Sequence, residues 1–257
     1  MRFTQKPPLG SLINWSHPLS RGLMGCWLIN EGSGNRISDL SGNGNHGILM
    51  NGPLWVPGKV GQALSFNGVD DSVNLGNHPS LNLPNAFTIA VWVNQTSLVN
   101  WSGIISKSNI NYLLLIGQPG TPYLVAQVGG IEKNTGSGTE TILPNNEWHF
   151  LVGTFDGTYL RYYYDGVREG LETATGGNVD TTTADAYISD WDYSNKFNGL
   201  IDGVRIYNRA LSAKEIRWLY AQPYAMFERR PVWMDYVAAA GGLSIPVAMD
   251  HYRQRRN

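Results

Sequence analysis

Residues 87–93 read Phe87-Thr88-Ile89-Ala90-Val91-Trp92-Val93. The run is rich in β-branched and aromatic side chains, keeps a period of two and contains no Gly or Pro, so it predicts a β-strand. Downstream, Trp148-His149-Phe150-Leu151-Val152-Gly153-Thr154-Phe155 runs into Asp156-Gly157, and Leu160-Arg161-Tyr162-Tyr163-Tyr164 runs into Asp165-Gly166. Asp-Gly pairs between such runs are strong hairpin signals. Upstream and between, strands are expected at 23–29, 63–66, 71–75, 103–106, 112–116 and 123–128, with 197–207 closing the series. Residues 30–47, NEGSGNRISDLSGNGNHG, are almost all turn formers and predict a compact ordered loop.

One segment has the marks of a helix. Ser212 is a good N-cap before residues 213–220, Glu215 completes a capping box, and Pro223 ends the run. Many short strands with one late helix predict an all-β chain: an antiparallel two-sheet β-sandwich of the jelly-roll kind, with one short C-terminal helix. The 30 Gly, 9 Trp and 13 Tyr among 257 residues suit tight turns and an aromatic-filled sandwich.

The body is expected over residues 22–221, flanked by an N-terminal arm, 1–21, and a C-terminal arm, 222–257. Pro7, Pro8 and Pro18 favour extended backbone in the first arm. The second carries Met226, Phe227, Val232, Trp233, Met234 and Tyr236, too many apolar side chains for a free tail. Phe227, Arg229, Arg230, Trp233 and Tyr236 are therefore candidate partner-binding residues, facing other proteins or sister copies in a homo-oligomer. Residues 1–30 are net +3 and 224–257 net +2, while 31–223 are net −6. The basic residues form no long stripe, which argues against nucleic acid as a partner. No stretch of about 18 apolar residues predicts a membrane span, and the first residues, MRFTQKPPLG, do not read as a signal peptide. The single Cys26 lies in an apolar run and reads as a buried hydrophobe.

The ordered motifs Gly22-Leu23-Met24-Gly25-Cys26-Trp27, Glu31-Gly32-Ser33-Gly34, 39–47 (DLSGNGNHG), 61–71 (GQALSFNGVDD), 87–93, Trp148-His149 with 153–157, Tyr164-Asp165-Gly166 and 199–212 (GLIDGVRIYNRALS) resemble the laminin-G-like jelly-roll domain of the concanavalin A-like lectin/glucanase superfamily. The resemblance covers roughly residues 22–221. The start Gln5-Lys6-Pro7-Pro8, the run 17–22 and the end Phe227-Glu228-Arg229-Arg230-Pro231 are similar to versions of this domain in bacteriophage genomes, which implies a virion decoration or fibre component.

The same resemblance implies a structural Ca2+ site joining the Gly-rich loop to the last strand, at Asp39, Asn43, Asn45 and Asp202. Gly203 and His46 stand where many relatives carry carboxylates. The alternative is that Asp39 caps turn amides and Asp202 bonds backbone or an Arg. For glycans, Trp101, Trp191 and Tyr193 fall in expected loops and Tyr123 at the loop edge of the expected strand 123–128, with Asp190 and Asp192 beside two of them. Sugar C–H faces stack on such rings; the alternative is ordinary packing at loop edges. Retaining glucanases need two carboxylates close together, and the spacing Glu-x-Asp-x-x-Glu is absent. The expected function is thus non-enzymatic: a displayed virion protein anchored by its arms, or a carbohydrate-binding module in an extracellular setting.

Overall fold

A computed structural model describes residues 5–107, 111–136, 141–191 and 196–227. In chain order the strands are β1 (Leu23–Trp27), β2 (Arg36–Ile37), β3 (Gly47–Met50), β4 (Leu54–Pro57), β5 (Gln62–Asn67), β6 (Ser72–Gly76), β7 (Phe87–Gln95) and β8 (Ser102–Lys107). They continue as β9 (Tyr112–Ile116), β10 (Pro122–Val128), β11 (Ile131–Asn134), β12 (Trp148–Phe155), β13 (Tyr159–Tyr164), β14 (Val167–Ala174), β15 (Ala186–Ile188) and β16 (Asn198–Tyr207), followed by helix α1 (Ala213–Ala221). The first sheet runs β14-β13-β12-β7-β16-β5-β4, with β1 also paired to β16. The second runs β11-β10-β9-β8-β15-β6-β3-β2. All the strand pairings are antiparallel, and the two sheets make the expected sandwich.

Strand β7 sits at the centre of the first sheet, between β12 and β16. Ile89, Val91 and Val93 point into the inter-sheet core, where Trp27, Phe87, Leu114, Leu151 and Ile206 join them. Alternation puts Ala90 and Trp92 on the other face, as a period-two strand requires. That outer face is also dry. Ile13, Leu19, Ile216, Leu219, Met226 and Phe227 cover it and form a second apolar cluster with Ala90, Trp92, Phe150 and Val152. Each large side chain removed from water there contributes about 1.5–3 kcal/mol, which is why β7 carries an unbroken apolar run over Ile89–Val93.

The covering layer is built from three local structures. In α1, Ser212 and Glu215 cap each other reciprocally, as expected, and Ile216 and Leu219 fall on the buried side one turn apart. Tyr220 stacks on Trp92 at 5.4 Å. The N-terminal segment lies beside the helix, with His17 against Trp218 at 4.7 Å. Ile13 bridges to Phe227, and the Asn14 amide donates to the Met226 carbonyl at 2.8 Å.

This arrangement corrects one expectation. Residues 5–21 are not a detached arm, because Ile13 and Leu19 are buried in the outer cover of the first sheet, while Leu9, Leu12 and Trp15 stay exposed. Phe227, expected to reach a partner, is only 3% exposed within its own chain. Arg229, Arg230, Trp233 and Tyr236 lie outside the described residues. The sequence names no strand at β2, β3, β4, β11 or β15, and at β14 it marks the preceding hairpin turn without the strand itself. They are short or polar; β14, with Glu169, Gly170 and Glu172, has no apolar face to reveal it. Among the described residues no helix is long and apolar enough to cross a membrane.

Candidate functional site

Trp101 directly precedes β8, Tyr123 lies in β10, and Trp191 follows β15 shortly after the strand paired with β8. Because β8, β9 and β10 are neighbours, the fold brings these three expected residues to one end of the second sheet. Trp101 is 40% exposed and meets Tyr123 edge-on at 6.4 Å. It adopts φ +61°, a left-handed conformation that is unusual for a bulky residue and persists only when its surroundings hold it. The Tyr123 ring lies against the backbone of Gly117 and Gly136, where an added Cβ would come within 2.4 and 2.9 Å of it. Trp191 is half-buried over Leu113, Leu115, Tyr123 and Val125, the outer face of β9 and β10. Gly103 of β8 lets the 190–191 backbone cross it, since a Cβ there would sit 2.6 Å from the Asp190 carbonyl. Asp190 forms an ion pair with Lys196. Leu98 and Ile142, both exposed, flank Gly120 in the turn between β9 and β10 and extend the apolar rim. Asp192 and Tyr193 lie outside the described residues.

The expected metal residues are arranged differently. Asp39 Oδ1 accepts from the Cys26 amide at 2.9 Å and the Ser41 amide at 2.8 Å. Its Oδ2 accepts from Ser41 Oγ at 2.7 Å and the Asn45 amide at 3.0 Å. Four donors fill the roughly four lone-pair sites of a carboxylate. Asn43 and Asn45 turn their amide nitrogens, not their oxygens, to the Met24 carbonyl, at 3.1 and 2.8 Å. Asp202 lies on the outer face of the first sheet, opposite Trp92, where an irregularity interrupts its pairing with β7. There it meets Lys6 Nζ at 2.5 Å, with both side chains almost fully buried. Burial pushes the Asp202 carboxyl up to about 6, against the pull of Lys6 and Arg205. As arranged, the four residues do not fit Ca2+, which takes six to eight oxygen ligands: one carboxylate is saturated, two amides present donors, and the other carboxylate holds an ammonium.

A family model for the concanavalin A-like lectin/glucanases superfamily, of the laminin G type, matches residues 67–217. The chain belongs to this family. No curated protein matches this laminin G domain. Among solved structures it is similar to domain 4 of AbnA, a GH43 extracellular arabinanase from Geobacillus stearothermophilus solved in complex with arabinotriose. The TM-score is 0.66 and the identity 21%, over 78% of this chain and 98% of that one. It is similar also to the binding domain of Paraclostridial Mosquitocidal Protein 1, with TM-score 0.65 and 17% identity over 80% of this chain and 53% of that one. A third is the binding domain of botulinum neurotoxin DC in complex with SialylT, with TM-score 0.61 and 15% identity over 78% of this chain and 51% of that one. The chain thus spans about half the length of the two toxin domains. At these identities the likeness establishes a shared fold.

The four acids that the sequence places near one another, Asp70 with Asp71 and Glu169 with Glu172, each bond within the fold. Asp70 and Asp71 hold Asn67 in a turn. Glu169 accepts from Thr141, while Glu172 binds Arg161 and Arg168. Among the described residues no three His, Cys, Asp or Glu side chains cluster to hold a metal ion. Sequence reasoning missed an open cleft of about 560 Å³ lined by Asn111, Gln127, Asp180, Thr181 and Thr182. It lies at the opposite end of β9 and β10 from Trp101, and its polar residues carry no sequence signal that separates them from ordinary loops.

Proposed function

We propose that this laminin G domain is a non-catalytic glycan-binding module whose platform is the rim around Trp101. The observation that carries this reading is an aromatic face 40% exposed at a backbone position of φ +61°, braced by buried Tyr123. A strained, presented ring at a loop edge suits stacking of a sugar's C–H face, and Leu98, Ile142 and Trp191 enlarge the platform. Asp70, Asp71, Glu169 and Glu172 are each engaged in hydrogen bonds or ion pairs within the fold, which supports binding without hydrolysis. The arabinotriose of one similar structure and the SialylT of another name two glycan classes to try first.

A glycan array that includes arabino-oligosaccharides and sialylated glycans tests the reading, with the wild type beside Trp101→Ala and Trp191→Ala. Retention of the wild type on one glycan class, with loss in Trp101→Ala, supports it. Failure of the wild type to bind any glycan rejects it.

The display role, on a virion or an extracellular particle, is a second part of the proposal and falls to residues 228–257. Residues 5–21 cover the domain's own sheet, whereas the stretch with Arg229, Arg230, Trp233 and Tyr236 follows directly on Phe227. A chain ending at Phe227 is expected to fold and bind glycan yet to lose association with particles or sister copies. Retained association rejects the anchoring role.

A further inference from the structure

Lys6 is buried in a cage of three oxygens drawn from distant parts of the chain. Its ammonium donates to the Ile29 carbonyl at 3.1 Å and to the Gln62 carbonyl, and pairs with Asp202 Oδ1 at 2.5 Å. Two carbonyls accept hydrogen bonds from it and one carboxylate supplies the opposite charge, a set that suits a primary ammonium. The cage exists in the backbone as well as in the side chains. Ile29, a β-branched residue, holds φ +54°, a conformation such residues seldom adopt, and its carbonyl is one of the three oxygens. Gly61 leaves room for the lysine stem, since an added Cβ would lie 3.2 Å from Lys6 Cδ. Asn30 donates from its side chain to the Pro7 carbonyl at 3.4 Å, holding the segment just past the lysine.

We infer that this cage is a primary-ammonium binding site occupied in cis by Lys6, and that it latches the N-terminal segment to the outer face of the first sheet. The laminin G domain thereby takes its own side chain as the cation at Asp202, where the resemblance placed a metal ion. Three oxygens with one carboxylate are too few for calcium but complete for R–NH3+. Once emptied, the site accepts a small primary alkylammonium from solution. The inference is independent of the glycan reading.

The test is thermal melting of the full chain. Lys6→Ala keeps the Cβ and removes three methylenes and the ammonium, the outline of n-propylammonium. The variant is expected to melt about 10 °C below wild type, because Asp202 stays buried without its partner. n-Propylammonium chloride is expected to restore much of that loss while leaving wild type unmoved. Tetramethylammonium, which has no N–H donor, sodium at equal ionic strength and calcium are expected not to restore it. A Lys6→Ala chain that melts like wild type overturns the inference, as does equal restoration by tetramethylammonium, sodium or calcium. If Lys6→Ala does not fold, Lys6→Met and Lys6→Met/Asp202→Asn decide. The double variant is expected to melt well above the single one, and equal or lower melting overturns the inference.

Discussion

Ile13 and Phe227 form an antiparallel bridge, so the two ends of the described chain meet over the outer face of the first sheet. The bridge joins the segments that bring Ile13, Leu19, Met226 and Phe227 into a layer over β7 and β12. The inter-sheet core and this outer layer share the same strands, so loosening the cover exposes Trp92 and Phe150 to water.

Leu19, which is fully buried in the cover, tests that relationship. Leu19→Ala is expected to cost about 2–5 kcal/mol in urea unfolding, the usual range for a core leucine. A loss below about 0.5 kcal/mol, typical of surface positions, would return residues 5–21 to the status of a free arm.

Asp39 holds the Gly-rich loop through four donors, one on the Cys26 amide and three on the loop's own Ser41 and Asn45. Asp39→Ala strands these donors in a nearly dry site and is expected to destabilise by about 3 kcal/mol. Ligands that bind only the native state raise its melting temperature. Since the loop is closed by its own amides, calcium chloride or a chelator is expected to move the wild-type melting temperature by less than about 1 °C. A larger rise with calcium would show a metal site that this geometry does not provide.

Alkaline pH is expected to weaken the fold. Burial pushes the Cys26 thiol up from 9.0 to about 11, and it pushes the buried Tyr112 and Tyr207 hydroxyls upward as well. Below pH 9 the thiol is protonated in both the folded and unfolded chain. Between about 9 and 11 the unfolded chain loses its proton while the folded chain keeps it, so stability falls as pH rises. Cys26 alone accounts for about 2–3 kcal/mol over that interval. Urea unfolding at about pH 8 and about pH 10.5 measures the decline, and Cys26→Ala is expected to reduce it. A flat profile would show that the thiol is not buried.

Much of this fold is legible in the sequence because its signals are local. Residues 87–93 announce a strand, the two Asp-Gly pairs mark hairpins at β12–β13 and β13–β14, and Ser212 with Glu215 marks the helix start. The site is legible in part. Trp101, Tyr123, Trp191 and Asp190 do gather at one end of the second sheet, since loops joined to adjacent strands must meet. Long-range partnerships left no such trace. Lys6 lies far along the chain from Asp202, and a lone basic residue in a Pro-rich stretch gives no sign of burial. The destination of the apolar ends was hidden for the same reason. Their composition shows that they need cover, whereas only the three-dimensional arrangement shows that Ile13, Leu19, Met226 and Phe227 find it on their own chain.

The glycan-binding account is tested most directly by titration calorimetry of the full chain with the oligosaccharide that the array selects. The account predicts saturable binding by the wild type, and affinity weakened at least about tenfold in Trp101→Ala, a loss of about 1.4 kcal/mol, with the melting temperature unchanged. Undiminished affinity in a folded Trp101→Ala chain would contradict it.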